Sequence, residues 1–154
     1  MTQIFLIIIS ALLSFNSFSQ EFINFKKQEV RKILTKYTTD NNYKTILEET
    51  DSSFSFLVRD TAVRPIEVLF LFDKSGKCNY VKKTADCDSC IQKYIQETLN
   101  NKTLKWTRIN ENNFVSRFSK KISLEIIQNV EVHSFVLKRQ DWKRKEYKNL
   151  LPKR

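Results

Sequence analysis

The 154-residue chain contains little glycine, proline, histidine or cysteine: one glycine, two prolines, one histidine and three cysteines. Loops that cradle phosphate groups need several glycines, so a nucleotide-binding loop of that kind is excluded. The scarcity of glycine and proline also leaves no stretch that resembles a flexible linker between two domains. A chain of this length is long enough for a single domain with a hydrophobic core.

An apolar segment lies near the N-terminus, at Ile4–Leu13. It is shorter than the roughly 20 residues that a helix needs to cross a bilayer. Ser17 and Ser19 are small residues just before a possible cut at Gln20, a layout typical of secretory signal peptides. We therefore predict a cleavable signal peptide at residues 1–19 and a periplasmic or secreted mature protein. Because no Lys or Arg precedes the segment, an uncleaved membrane anchor remains the alternative.

The three cysteines, Cys78, Cys87 and Cys90, are disulfide candidates, because disulfides persist in the oxidising compartments to which a signal peptide leads. Their number is odd, so at least one is unpaired in a monomer. We expect Cys78 to pair with Cys87 or Cys90 and to tie a strand to the start of the next helix. A fully extended strand would keep Cys78 about 20 Å from that helix, at roughly 3.4 Å per residue. A Cys87–Cys90 bridge, or three reduced thiols, therefore remains an alternative.

The Cys-x-x-Cys motif also raises two chemical alternatives. A helix N-terminus lowers the pKa of a thiol, so a small thiol-dependent redox enzyme that uses Cys87 and Cys90 is one of them. The pattern before the motif is that of a hairpin, however, and not of the βαβ unit usual for such enzymes. Zinc held by Cys78, Cys87, Cys90 and His133 is the other alternative. We predict neither: no catalytic, cofactor-binding or metal-binding residue is assigned, and the protein is expected not to be an enzyme.

Hydrophobic periodicity predicts three helices. Apolar residues at helical spacing place an N-terminal helix at residues 22–37. The clearest helix is Asp86–Leu99, which has Asp86 as its N-cap and one apolar stripe. A short helix is predicted near the C-terminus, in the segment "DWKRKEYKNLL".

Period-two patterns predict strands between these helices. The segment Ile66–Phe72 is apolar on both faces, which indicates a strand inside a covered sheet. The sequence "DKSG" follows it and predicts a turn in which Gly76 takes a positive φ. We therefore predict an α+β fold in which an antiparallel β-sheet packs against the main helix, with residues 20–154 forming a single domain.

Positive charge is concentrated at the C-terminus of a chain whose formal net charge is +10. The last seventeen residues hold eight Lys or Arg against two acidic residues. Such a basic segment with aromatic side chains fits an anionic lipid surface or a cell-wall polymer, and export makes nucleic acid an unexpected partner. The favoured interpretation is a solvated helix with its charges in water, and binding to an anionic surface is the alternative. The residues assigned to this basic tail, residues 138–154, are Lys138, Arg139, Lys143, Arg144, Lys145 and Lys148.

The order of hairpin, helix, tryptophan and strand resembles a known family. "IEVLFLFDKSGKCNYVKK" is similar to the first hairpin of the C-terminal domain of TonB and its relatives. "DCDSCIQKYIQETLNNKTLKW" is similar to that domain's helix and following Trp, and "NNFVSRFSKKISLEII" to its final strand. The resemblance covers about residues 66–127. The chain departs from the family in lacking a proline soon after Trp106 and a proline-rich spacer, so it resembles a stand-alone module.

The resemblance implies binding rather than catalysis. Members of the family accept an extended peptide along the last strand of the domain, so the implied partner is a protein of the cell envelope that adds a strand to the sheet. The alternative is that the following segment, "VEVHSFVLKR", covers that edge. Trp106 is expected in the core, with an exposed binding anchor as the alternative. The partner-binding residues that the resemblance implies are Phe114, Phe118, Ile122, Leu124 and Ile126.

Overall fold

The computed structural model describes residues 22–41, 44–60, 63–128 and 132–152. The predicted signal peptide, residues 1–19, lies outside the described residues. The described chain contains the helices α1 (Lys27–Asn41), α2 (Asp88–Leu99) and α3 (Arg144–Leu150). Its strands are β1 (Lys44–Glu49), β2 (Ser53–Asp60), β3 (Val63–Phe72), β4 (Cys78–Ala85), β5 (Thr107–Arg108), β6 (Asn113–Val115), β7 (Ile122–Ile127) and β8 (His133–Arg139). The predicted α+β class is confirmed.

All these strands belong to one antiparallel sheet in the order β1-β2-β3-β4-β8-β7-β6-β5. Strands β1 to β4 follow chain order, and β8 to β5 follow it in reverse. The two series meet where β4 pairs with β8, in a register that places Tyr80 opposite Lys138 and Ala85 opposite His133. The outer strands of the sheet are therefore β1 and β5.

One face of the sheet carries the hydrophobic core. Because side chains alternate between the faces of a strand, the register brings Phe54, Phe70 and Val81 onto the same face. The ring of Phe22 lies 5.3 Å from that of Phe70, in an edge-to-face arrangement. Helices α1 and α2 add apolar side chains to this core: Val30, Leu34, Ile91 and Ile95.

Strand β3 confirms the prediction for residues 66–72. It lies between β2 and β4, inside the sheet. Phe70 is completely buried on the core face, whereas Leu69 and Leu71 are half-buried on the opposite face. Apolar residues on both faces therefore mark an interior strand here.

Helix α1 begins later than the sequence predicts. The helix expected from residue 22 starts at Lys27, because the preceding backbone bonds to the start of β4. The Asn24 N–H donates to the Cys78 carbonyl at 2.8 Å, and the Cys78 N–H donates to the Phe25 carbonyl at 2.8 Å. Asn24 also has φ +76°, far from the helical value near −63°, so the helix cannot run through this residue.

Helix α2 begins after Cys87, which replaces the predicted Asp86 as the N-cap. The Cys87 sulfur accepts a hydrogen bond from the Cys90 N–H at 3.1 Å. A first-turn N–H that has no partner within the helix is thereby satisfied. The remainder of the predicted helix is present, and Ile91 and Ile95 lie on its buried stripe.

Asp73 stabilises the turn between β3 and β4. Its carboxylate accepts hydrogen bonds from the Ser75 N–H at 2.8 Å, the Ser75 hydroxyl at 2.6 Å and the Lys77 N–H at 3.1 Å. Arg139 of β8 also forms an ion pair with it. The Ser75 hydroxyl and then the Arg139 guanidinium hold the pKa of Asp73 far below its ordinary value. Gly76 has φ +72°, as the sequence predicts for this turn.

Replacing Phe70 by Ala removes a completely buried ring that packs on Phe22. We expect the free energy of unfolding to fall by about 3–5 kcal/mol, because the side chain leaves a cavity in the core. Leu69→Ala, on the half-buried face of the same strand, is the control and should cost less than half as much. Urea denaturation followed by circular dichroism measures both, and equal losses would contradict this assignment of the buried face.

Candidate functional site

Strand β1 forms an exposed edge of the sheet. It pairs with β2 along one side, and no other described strand pairs with it. Five of its six residues are exposed, and Thr45 is half-buried. Ile46 and Leu47 retain 42% and 46% of their surface in water, so two adjacent large apolar side chains of β1 are accessible to a partner.

The hairpin between β1 and β2 shows which backbone groups of β1 point outward. The Thr50 N–H donates to the Ser53 carbonyl at 3.2 Å, so Thr50 directs its backbone groups toward β2. Successive residues of a strand direct these groups to alternate sides. The N–H and C=O groups of Ile46 therefore point toward β2, whereas those of Thr45 and Leu47 point away from the sheet.

The two faces of β1 differ in their contacts. On the core face, Glu49 forms ion pairs with Lys27 at 3.0 Å and Arg31 at 3.5 Å, both from α1. The hydrogen bond from Lys27 is the main cause that lowers the pKa of Glu49. On the opposite face, Lys44 and Glu48 flank Ile46, and neither has an ion-pair partner among the described residues.

The other outer strand offers little to a partner. Strand β5 has two residues, Thr107 and Arg108. Short edge strands are one of the ways in which proteins avoid unwanted strand pairing. The edge with the most unpaired backbone in the described sheet is therefore β1, which we call the β1 edge.

The edge implied at Phe114–Ile127 is not free, because the segment after it pairs with it, which is the alternative given for this edge above. Strand β7 lies between β6 and β8, and it pairs with β8 along its whole length, from Ile122 opposite Arg139 to Ile127 opposite Ser134. Of the five residues implied for partner binding, the structure buries two and leaves three half-buried: Ile122 and Leu124, and then Phe114, Phe118 and Ile126.

The cysteines pair differently from the favoured expectation. Cys87 and Cys90 form a disulfide with a Cα–Cα distance of 5.4 Å. Cys78 is buried and unpaired at the opposite end of β4, so the prediction that Cys78 pairs with Cys87 or Cys90 is wrong. The reason is the extended strand, whose eight residues separate its ends by about 24 Å. Burial raises the pKa of the Cys78 thiol to about 11, so this thiol is unreactive at neutral pH.

The zinc ligand set is not assembled. Cys78 lies apart from the Cys87–Cys90 disulfide, and the Nδ1 atom of His133 lies 3.6 Å from an Asp88 carboxylate oxygen. Within the described ranges, no three His, Cys, Asp or Glu side chains come together as candidate metal ligands.

Trp106 lies half-buried at the end of α2, packed against the core. Its indole N–H donates to the Thr98 carbonyl at 2.9 Å. That bond satisfies the polar atom of the ring and orients the side chain toward the helix rather than outward as an anchor.

The predicted basic tail does not begin as a separate segment. Lys138 and Arg139 belong to β8, and Arg139 is engaged with Asp73. The rings of Trp142 and Tyr147 pack together with centroids 5.6 Å apart. The other basic residues assigned to the tail are exposed in or next to α3: Lys143, Arg144, Lys145 and Lys148.

One buried charge was missed by the sequence reasoning. Lys83 of β4 is only 5% exposed and lies on the core face, with its ammonium 4.1 Å from the centre of the Tyr94 ring. Burial lowers the pKa of Lys83 to about 8. The sequence feature that indicates this burial is the position of Lys83 between Val81 and Ala85 in a period-two pattern, which places all three side chains on one face of the strand.

The substitution Lys83→Met tests this burial. Folding disfavours the charged form of Lys83, so wild-type stability should rise with pH between about 8 and the ordinary lysine value near 10.5. We expect the stability advantage of Lys83→Met to be largest at pH 7 and to shrink by about 3 kcal/mol across that range. Denaturation at several pH values measures it.

The control is Lys82→Met, on the opposite face of β4, whose stability difference from the wild type should vary little over the same pH range. A difference for Lys83→Met that is constant with pH would contradict the burial of a titrating amine.

No helix in the described part of the chain is both long and apolar enough to span a membrane. Comparisons of the chain with models of protein families, with curated proteins and with solved structures found no match.

Proposed function

We propose that this protein is a non-enzymatic protein-interaction module that binds an extended segment of a partner by β-strand addition at the β1 edge. The observation that carries the proposal is the row of outward backbone groups on β1, of which Thr45 and Leu47 contribute both N–H and C=O groups. An added strand would satisfy these groups and supply most of the affinity through main-chain hydrogen bonds.

The side chains of β1 provide a basis for selectivity. Ile46 and Leu47 are adjacent, so they project from opposite faces of the sheet and each can contact alternate residues of an added strand. Lys44 and Glu48 lie on the same face as Ile46 and can select opposite charges. An apolar pair framed by a base and an acid favours a partner segment with a central apolar residue between charges.

The edge is also held in place before a partner arrives. The hairpin fixes β1 on one side, and the Glu49 ion pairs with Lys27 and Arg31 connect it to α1. A preorganised strand loses less conformational entropy when it binds. This arrangement supports binding by β1 itself rather than by a loop that must first become ordered.

The resemblance to the TonB C-terminal domain supports the same class of function. The hairpin β3–β4, helix α2, Trp106 and strand β7 occur in the order on which the resemblance rests. The proposed site differs, because β8 occupies the edge that the family uses. The predicted signal peptide and the resemblance together support a partner in the periplasm or at the cell envelope.

Leu47→Pro tests strand addition, because it removes an N–H that points outward. We expect this variant to keep its circular dichroism spectrum and to lose capture of envelope proteins by at least about tenfold, since proline cannot complete the ladder. Leu47→Val keeps the amide and an apolar side chain, and it should capture the same proteins as the wild type. The measurement is quantitative affinity capture from an envelope extract with the mature protein immobilised.

Ile46→Pro serves as a second comparison, because its N–H points toward β2 and its loss should destabilise the hairpin. Undiminished capture by a folded Leu47→Pro variant would rule out the β1 edge as the binding site.

Thiol–disulfide exchange is a second candidate function, favoured by the position of the Cys87–Cys90 pair. When reduced, Cys87 would retain the hydrogen bond that its sulfur now accepts from the Cys90 N–H, and a helix N-terminus favours the thiolate. A shallow groove beside this helix start is lined by Asp88, Ile91 and His133 and could receive a substrate chain.

The exchange would proceed in two balanced steps. The Cys87 thiolate attacks a disulfide of the substrate protein, forms a mixed disulfide and releases one substrate thiolate. The Cys90 thiolate then attacks the Cys87 sulfur, which restores the Cys87–Cys90 disulfide and leaves the substrate as a dithiol.

Insulin reduction in the presence of dithiothreitol tests this candidate. The wild type and a Cys78→Ala variant should accelerate the reaction equally, whereas Cys87→Ser should be inactive because the attacking thiol is lost. A wild-type rate equal to that of dithiothreitol alone would eliminate the exchange function, and it would leave the β1-edge proposal unaffected.

A further inference from the structure

We infer that the strand added to the β1 edge is β1 of a second copy of this chain, so that two sheets join across a two-fold axis. This inference rests on the proposed function, since it names the partner of the same edge. It is carried by the sequence of β1, "KTILEE", which is complementary to itself in one antiparallel register.

Symmetry limits the possible registers. Two copies joined edge to edge by antiparallel strands are related by a two-fold axis perpendicular to the sheet, and the same surface of each copy meets the other. Side chains that lie opposite each other must project from the same face. A residue therefore lies opposite itself at the axis, and its neighbours pair symmetrically around it.

When Ile46 lies on the two-fold axis, the residue pairs on either side of it are compatible in charge and size. Lys44 of each copy then lies opposite Glu48 of the other, which gives two ion pairs on one face around an Ile46–Ile46 contact. On the other face, Leu47 of each copy lies opposite Thr45 of the other. The charges that lack partners within the described residues of one copy are thus neutralised by the second.

The backbone fits the same register. Thr45 and Leu47 direct their N–H and C=O groups outward, so the two Thr45–Leu47 pairs are hydrogen-bonded pairs and form four main-chain bonds. Ile46 directs its groups inward, so the pair at the axis is a non-hydrogen-bonded one. Such pairs bring the Cα atoms to about 4.5 Å and place their side chains closest together.

The neighbouring register is less favourable. With Leu47 on the axis, the apolar Ile46 would lie opposite the Glu48 carboxylate, and Lys44 would lie opposite Thr50 without an acid. Thr45 would meet Glu49, which is already engaged by α1. Charge complementarity therefore selects the register that is centred on Ile46.

An apolar stripe crosses the junction in this register. Leu57 of β2 lies opposite Ile46 in the β1–β2 pairing and is half-buried. The stripe would run from Leu57 and Ile46 of one copy to Ile46 and Leu57 of the other. A single pair of six-residue strands makes a small interface, so the dimer should be weak and dependent on concentration.

Charge reversal tests the register. Sedimentation velocity from about 10 μM to about 1 mM should show a monomer–dimer equilibrium for the mature wild type. Lys44→Glu and Glu48→Lys should each weaken dimerisation by roughly tenfold or more, because each places like charges opposite one another twice. The double variant Lys44→Glu/Glu48→Lys restores both pairs and should dimerise like the wild type.

Mixing the two single variants gives a sharper result. Lys44→Glu carries two acids and Glu48→Lys carries two bases on this face, so an equimolar mixture should form heterodimers although neither variant dimerises well alone. Leu47→Pro should be monomeric, because it removes two of the four main-chain bonds.

Two outcomes would overturn the inference: a wild type that stays monomeric throughout, or a dimer that neither charge reversal weakens. In either case the proposed function is judged separately by capture with Leu47→Pro and Leu47→Val. If capture depends on the Leu47 amide, strand addition at β1 holds but the partner is a different protein. If the protein neither dimerises through β1 nor shows Leu47-dependent capture, both proposals are wrong.

Discussion

A β-strand carries backbone N–H and C=O groups on both sides, and those that no neighbouring strand bonds must find water or another chain. Strand β8 lies between β4 and β7 and pairs with the backbone groups on the facing side of each. Of the two outer strands in the described part of the sheet, β1 is the longer, and no described strand pairs with its outer side. The proposed function depends on this asymmetry, because pairing at an interior strand such as β7 would require the sheet to open first.

Local patterns in the sequence predict much of the fold. The apolar alternation on both faces of 66–72 identifies an interior strand, and the spacing of Ile91 and Ile95 identifies α2. Both signals are local, since they record which side chains one element buries. The α+β class follows from them. The late start of α1 was not predictable in this way, because it depends on hydrogen bonds between Phe25 and Cys78, more than fifty residues apart.

The candidate site was much harder to predict because it depends on strand order. The segment that contains β8 reads as a strand, but nothing local shows that it pairs with both β4 and β7. Without that information, the sequence does not show that the final strand of the resemblance is covered, and it gives no indication that the β1 edge is open. Lys83 was missed for another reason: lysine is rarely buried, so its core-facing position in a period-two pattern is easily overlooked.

Amide hydrogen exchange by NMR tests the open edge most directly, with Glu48→Lys used to keep the protein monomeric. The account predicts that the outward amides of Thr45 and Leu47 exchange within about tenfold of the rates for an unstructured peptide, whereas the inward amide of Ile46 is strongly protected. The amide of Leu124 in β7 should be protected as strongly as the amides of the other interior strands. Strong protection of Leu47, or rapid exchange of Leu124, would contradict the account.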